Sequence, residues 1–141
     1  MKHILSMTLA MLCAGSGGSA AQDVALLAMG AYVHTDDMQK SETFYRTLFA
    51  RDPMIQLEGF VAFDISGGWF AIVSRYRYAP DAQAGTGAVP YIRSGNLTTL
   101  RTRIQNTGAE APEIIEEPGI HLLKITDPNG QLVEFFQLIG Q

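Results

Sequence analysis

The stretch Met29–Pro53, MGAYVHTDDMQKSETFYRTLFARDP, decides the fold. Its first part, Met29–Thr35, is a short apolar-rich run that predicts a β-strand. Asp36-Asp37 follows, and such carboxylates accept hydrogen bonds from the free N–H groups at the start of a helix. Pro53 cannot continue a helix, so the helix should end before it. Between them, apolar side chains recur at the i, i+4 spacing of an amphipathic helix: Phe44 with Leu48, and Tyr45 with Phe49.

Three strand candidates follow this helix, separated by glycine-containing turns at Glu58-Gly59 and Gly67-Gly68. One strand, one helix and three strands together form a βαβββ module, which we place at residues 29–74. The three candidates are Pro53–Leu57, Phe60–Ile65 and Trp69–Ser74.

The same order then repeats over residues 89–138, after a linker at 75–88 that contains Pro80, Asp81, Gly85 and Gly87. Arg75–Tyr78 at the start of this linker alternates like an exposed strand end. In the second module, Asn96 is a predicted helix cap and Gly108 a helix end. The four strand candidates are Val89–Ser94, Glu113–Ile115, Ile120–Ile125 and Leu132–Leu138, with a type I turn at Asp127–Gly130 before the last. The sequence thus predicts an α+β domain of two βαβββ modules within residues 22–141.

Residues 1–21 have the three-part layout of a secretory signal peptide: a basic start, an apolar run of about eleven residues and a small-residue end at Ser19–Ala21. The run is too short to span a bilayer. We therefore expect a periplasmic or secreted protein. Cys13 lies within this segment, so the mature chain would contain no cysteine; lipidation of Cys13 is the alternative.

The charge balance limits the classes of partner. Without Lys2 the chain has nine Lys and Arg against fourteen Asp and Glu, a formal net charge of −5. Such an acidic chain does not attract nucleic acid or anionic membranes, so we expect neither as a partner once the signal is removed. A small-molecule ligand remains the expected partner.

Two motifs resemble one known superfamily. Asp37–Arg46 is similar to the first-helix signature of the vicinal-oxygen-chelate superfamily, which includes glyoxalases, bleomycin-resistance proteins and extradiol dioxygenases. Asp127–Glu134, about ninety residues later, is similar to its C-terminal signature. The resemblance covers nearly all of Met29–Leu138. It implies that the two modules form a curved mixed sheet around a cavity, and that a homodimer is possible.

The resemblance also implies where a divalent metal would be held, and most of those positions lack a donor atom. The first-strand positions fall on Gly30 and Val89, seven residues before Asp37 and Asn96. The late glutamate is present as Glu134, and its counterpart in the first module falls at Ile72. Since a divalent cation needs three or more protein ligands, we expect no metal cofactor. A site that uses Glu134 with His121 is the less favoured alternative.

A further departure from the family is Ala50, where a glycine usually closes the first helix. Alanine costs about 1 kcal/mol if that residue must be left-handed. The turn after the helix was therefore expected to differ.

If Gly30 and Val89 face the cavity, as the resemblance implies, strand alternation assigns the candidate ligand-binding residues. Glu134 is the predicted charged contact or general base, and Arg93 was expected either to bind an anionic ligand or to neutralise Glu134. The alternate residues, such as Val33 and Phe135, should pack beneath the helices. The complete set of ligand-binding candidates is Tyr32, His34, Phe70, Tyr91, Arg93, His121 and Phe136, of which the parity of His121 stayed open.

Three functions are compatible with this pattern. The favoured one is an exported, metal-independent protein that binds a small organic molecule between aromatic walls, as bleomycin-resistance proteins do. The second is a lyase, isomerase or dioxygenase of the same superfamily, with Glu134 as base or residual metal ligand. The third is a structural or partner-binding module whose cavity is filled.

Overall fold

The computed structural model describes residues 27–140, so the predicted signal peptide and Cys13 lie outside the described residues. The first module contains β1 (Gly30–Thr35), α1 (Met38–Phe49), β2 (Ile55–Leu57), β3 (Phe60–Ile65) and β4 (Gly68–Ser74). A short helix, α2 (Arg75–Tyr78), follows. The second module contains β5 (Tyr91–Arg93), α3 (Leu97–Asn106), β6 (Ile115–Glu117), β7 (Ile120–Thr126) and β8 (Leu132–Leu138).

Each module forms its own four-stranded mixed sheet, with orders β1-β4-β3-β2 and β5-β8-β7-β6. In each, the first strand lies parallel to the last and the other pairs are antiparallel. The predicted α+β class and the repeated βαβββ order are confirmed. Within residues 27–140 the mixed sheet consists of two four-stranded sheets, one from each module, and they form no closed barrel.

Helices α1 and α3 cover one face of the sheets and share a single core with them. Tyr45, Leu48 and Ile104 are fully buried on the helices. Val33 and Phe135, which alternation assigned to this side, are each 2% exposed. Within residues 27–140, no helix is both long and apolar enough to cross a membrane. We call the sheet faces turned away from the helices the open faces.

The turn after α1 keeps the left-handed conformation in spite of its alanine. Ala50 has φ 51° and ψ 45°. The expectation of a different turn is therefore wrong, and the chain accepts the steric cost of a Cβ in this region.

Two local predictions also need correction. Arg75–Tyr78 forms a single helical turn rather than a strand end, closed by a 2.9 Å hydrogen bond from Ala79 N to Arg75 O. The strand predicted at Glu113–Ile115 lies at Ile115–Glu117, because its partner is Ile120–Leu122 across the turn at Gly119. Local alternation could not reveal either correction: Arg75–Tyr78 alternates but forms a helical turn, and the position of β6 depends on its pairing with β7.

The turn between β7 and β8 joins the two modules. The Tyr45 hydroxyl on α1 donates a 2.8 Å hydrogen bond to Asp127 Oδ2. Asn129 Nδ2 donates a 2.7 Å hydrogen bond to the carbonyl of His34. Gly85 of the linker lies so close that a Cβ built there would be 2.6 Å from Gly130 O. The second signature motif is thus packed against the first module and the linker.

Candidate functional site

The open face of the second sheet carries most of the predicted ligand-binding residues. β5 and β8 are in a register that places Tyr91 opposite Glu134 and Arg93 opposite Phe136. These four side chains therefore lie on one face, on two neighbouring strands. The sequence predicted this grouping from alternation, once the resemblance had placed Gly30 and Val89 on the cavity face.

Tyr91 and Phe136 form an aromatic surface on this face. Their rings are stacked, with centroids 4.1 Å apart and an interplanar angle of 9°. Tyr91 nevertheless remains 54% exposed, whereas the aromatic residues beneath the helices are at most 7% exposed. An exposed, stacked pair of this kind offers a flat apolar surface to another ring.

Glu134 lies beside this aromatic pair and is paired with Lys124. Its side chain is 17% exposed, and its Oε2 is 3.3 Å from Lys124 Nζ, on the neighbouring strand β7. The expectation that Arg93 neutralises Glu134 is therefore corrected. Within residues 27–140, Arg93 forms no ion pair. Lys124 was missed because its proximity depends on the β7–β8 register.

Tyr32 and His34 lie on the open face of the first sheet instead. Their rings meet edge to face, with centroids 5.3 Å apart. Both line a pocket of about 340 Å³ between β1 and the end of the linker, which Gln131 also lines. The candidate site residues are thus divided between two sheets rather than gathered around one cavity.

Phe70 does not lie on an open face. It is 3% exposed and packs beneath α1, with its ring centroid 4.7 Å from that of Tyr45. The prediction matched Gly68 to Gly130, but Ser66-Gly67 forms the two-residue turn, with φ 52° and 87°. The parity of β4 is therefore shifted by one residue.

This shift moves two further assignments on β4. Trp69, 42% exposed, takes the open-face position expected for Phe70. Ala71, opposite Tyr32, is the counterpart of Glu134, and Ile72 lies in the core. Counting from Gly67 would have found both positions.

His121 also lies on the helix side of its sheet. It is opposite Gln137 and Glu116, and it has the same parity as the buried Leu123 and Ile125. Glu134 and Lys124 have the other parity. The question left open for His121 is resolved: it does not share a face with Glu134.

The residues at the family's metal positions do not fit a divalent cation. Gly30 and Val89 have no donor side chain, and the corrected counterpart of Glu134 is Ala71. Among residues 27–140 no group of three or more His, Cys, Asp or Glu is arranged to hold a metal. The one carboxylate at these positions, Glu134, already forms an ion pair with Lys124 through its Oε2.

Solved structures with the same fold are named for glyoxalase and bleomycin-resistance functions. A glyoxalase/bleomycin resistance protein from Catenulispora acidiphila has TM-score 0.66 and 21% identity, covering 80% of this chain and 99% of that chain. A lactoylglutathione lyase from Agrobacterium tumefaciens has TM-score 0.61 and 18% identity, covering 84% and 95%. A glyoxalase-related enzyme from Fulvimarina pelagi has TM-score 0.66 and 16% identity, covering 83% and 88%.

These likenesses confirm the predicted glyoxalase/bleomycin-resistance fold. No protein-family model and no curated protein matches the chain significantly. At these identities the likeness extends to the fold alone, and function must be argued from the residues of the site.

Proposed function

We propose that this chain is an exported member of the vicinal-oxygen-chelate superfamily that binds a small organic molecule without a metal. The ligand would lie on the open face of the second sheet, with a ring against Tyr91 and Phe136. Glu134 would supply the charged contact. The observation that carries the proposal is the exposed aromatic stack beside a largely buried carboxylate.

The arrangement suits a flat ligand with a cationic or hydrogen-bond-donating group. Aromatic surface supplies most of the contact area in small-molecule sites, and a few polar groups fix the orientation. Because Lys124 approaches Oε2 of Glu134, its Oε1 is available to accept a hydrogen bond from a ligand. Metal-independent binding is favoured because the metal positions lack donors.

The enzyme alternative receives less support from the geometry. The enzyme alternative uses Glu134 as the general base, with His34 or His121 within hydrogen-bond reach of the reacting group to assist it. His34 lies on the other sheet, and His121 lies on the opposite face from Glu134. Neither histidine is placed to assist that carboxylate. The filled-cavity alternative is likewise less favoured, because Tyr91 and Tyr32 are exposed.

Export to the periplasm or medium is part of the proposal. It rests on the sequence of residues 1–21, with cleavage after Ala21. Fractionation of cells that express the full chain tests it. A mature protein that begins at Gln22 in the periplasm is expected; an uncleaved cytoplasmic chain would contradict it.

We also propose that the chain is a homodimer, because both open faces expose large apolar side chains. Leu57 is 65% exposed and Tyr32 60% on the first sheet, and Ile115 is 43% exposed on the second. A stable protein interface buries about 1,600 Å² in total. Light scattering coupled to size exclusion tests this, and a monomer at high concentration would refute it.

The ligand-binding proposal is tested on the metal-free mature chain. Thermal shift and calorimetry would be run with metal-free bleomycin and a panel of planar aromatic amines. Tyr91→Ala should abolish binding of any hit, and Glu134→Gln should weaken it about tenfold, as expected for a charge-assisted hydrogen bond. Tyr76→Ala is the matched control, since Tyr76 is also exposed but lies on α2.

Two results would contradict the proposal. One is the absence of binding across the whole panel. The other is binding that Tyr91→Ala and Tyr76→Ala change equally, since the ligand would then lie elsewhere.

A further inference from the structure

Two arginines without ion-pair partners, Arg51 and Arg103, line one small pocket at the seam between the modules. Nine of the ten lysines and arginines lie within residues 27–140, since only Lys2 precedes them. Five of the nine form ion pairs with carboxylates. Of the remaining four, Arg51 and Arg103 line the same pocket. Arg93 also borders it, but its side chain lies on the open face with Phe136, and Lys40 lies elsewhere.

This grouping is unexpected in an acidic chain with a formal net charge of −4. No Asp or Glu is among the residues that line the pocket. The carboxylates adjacent in sequence are engaged elsewhere: Asp52 pairs with Arg46, and Asp64 Oδ1 accepts a 2.9 Å hydrogen bond from Gly67 N. Gathering like charges costs free energy unless an anion neutralises them.

Hydrogen-bond donors and an apolar floor complete the pocket. Ser66 and Ser94 also line it, and Ser94 Oγ accepts a 3.2 Å hydrogen bond from Asn96 N, so its O–H is free to donate. Arg51 is held in place, because its Nη1 donates a 2.6 Å hydrogen bond to Asp64 O. The buried side chains of Leu48, Phe49, Leu100 and Phe135 lie beneath. Interactions of charges beside such a floor are less screened than in water.

The volume limits the size of the ligand. The pocket holds about 150 Å³. This is roughly five times the 30 Å³ that one water occupies in the liquid, and it is well below the ~300 Å³ of the smallest pockets for organic ligands. The space therefore suits one small group rather than a whole organic molecule.

We propose that this pocket binds a single oxyanion, a phosphate or a carboxylate group, between the arginines of the two modules. Guanidinium groups are the side chains best suited to oxyanions, because their planar fork donates paired hydrogen bonds. Arg51 belongs to the first module, and Arg103 belongs to the second. A bound anion would thus link the modules, at a site distinct from the stack of Tyr91 and Phe136.

The test is a titration of the mature chain with inorganic phosphate at constant ionic strength, followed by calorimetry and by amide NMR. One saturable site is expected, with shifts centred on residues around Arg51 and Arg103. Arg51→Gln and Arg103→Gln should each weaken binding about tenfold. Lys40→Gln removes the same charge from an unpaired cation outside the pocket and should leave the affinity within about twofold.

A second arm replaces phosphate with acetate and identifies the oxyanion. Tighter binding of phosphate assigns the pocket to phosphate groups, and tighter binding of acetate assigns it to carboxylates. Arg→Lys variants keep the positive charge, so they disturb folding less than the Arg→Gln variants. They should still bind the anion more weakly than the parent, since lysine lacks the guanidinium fork.

The proposal is overturned if neither anion saturates a site. It is also overturned if Lys40→Gln weakens binding as much as the arginine variants do, since the effect would then be one of general charge.

Discussion

The Tyr45 hydroxyl, on the helix of the first module, donates a 2.8 Å hydrogen bond to Asp127 Oδ2, at the turn before the last strand of the second. Both residues are buried, at 0% and 4% exposure. Tyr45 and Asp127 are 82 residues apart, and through their bond the two signature motifs meet in the structure. They connect the modules in addition to defining each of them.

Tyr45→Phe should lower the free energy of unfolding by about 1–3 kcal/mol, because it leaves a buried carboxylate oxygen without its donor. Urea denaturation of the mature chain measures this. Tyr32→Phe is the matched control: that hydroxyl is on a side chain 60% exposed, so its loss should change stability little. Equal effects of the two variants would contradict the role of the Asp127 contact.

The same contact predicts a dependence on alkaline pH. Burial, with the nearby Asp127 charge and hydrogen bond, raises the pKa of Tyr45 well above its ordinary value of 10.0. The unfolded chain then loses this proton at a lower pH than the folded chain. The contribution of Tyr45 to stability is therefore complete below about pH 10 and is lost as the pH rises further. Denaturation series between about pH 8 and about pH 11 should show a smaller loss in Tyr45→Phe than in the parent.

Ala50→Gly should stabilise the protein by up to about 1 kcal/mol, because it removes the steric cost of a left-handed alanine at φ 51°. Thermal denaturation would show a raised Tm. Ala84→Gly is the control, since Ala84 is not among the residues with positive φ within 27–140. There glycine only adds freedom to the unfolded chain, and a small destabilisation is expected. A fall in Tm for Ala50→Gly would contradict the cost assigned to this turn.

Gly85→Ala should be more destabilising than the strain of an alanine at positive φ alone would explain. The added Cβ would be 2.6 Å from Gly130 O, and φ at Gly85 is +70°. Gly119→Ala carries the same strain at φ +82° with no atom within 4 Å. The difference in unfolding free energy between the two variants should be about 1–3 kcal/mol, the usual cost of overpacking. No difference would mean that the linker moves away from the turn at little cost.

The mature chain, purified without chelator or affinity-tag metal, should contain far less than one divalent ion per molecule by mass spectrometry. The reason is that Gly30, Val89 and Ala71 stand at the positions where ligands would be needed. Dialysis against manganese, zinc, iron or nickel should not change this. Stoichiometric metal that disappears in Glu134→Ala would overturn the metal-independent proposal.

Much of the fold could be predicted because its local signals agree. Phe60–Ile65 and Leu132–Leu138 have the predicted bounds, and Asp37 and Asn96 cap the two helices as expected. What local pattern could not provide is the relation between elements. Each module has its own four-stranded sheet, and the order of strands within it depends on pairing that no local periodicity encodes.

In the candidate site, too, local patterns were predicted and relations between strands were not. Alternation correctly grouped Tyr91, Arg93 and Phe136, because parity within one strand is a local property. Phe70 was misplaced because its parity depended on the length of one turn. Lys124 could be found beside Glu134 only from the register of two strands.

The position of Asp127 near the end of the chain has a consequence for synthesis. Helix α1 cannot obtain its buried hydrogen-bond acceptor until most of the 141 residues have left the ribosome. Translation adds about 5–20 residues per second, so the nascent chain would remain incomplete for several seconds. We propose that residues 1–21 direct this chain to export. In that case the delay favours translocation, because the precursor reaches the secretion machinery before the two modules can pack through the Tyr45–Asp127 hydrogen bond.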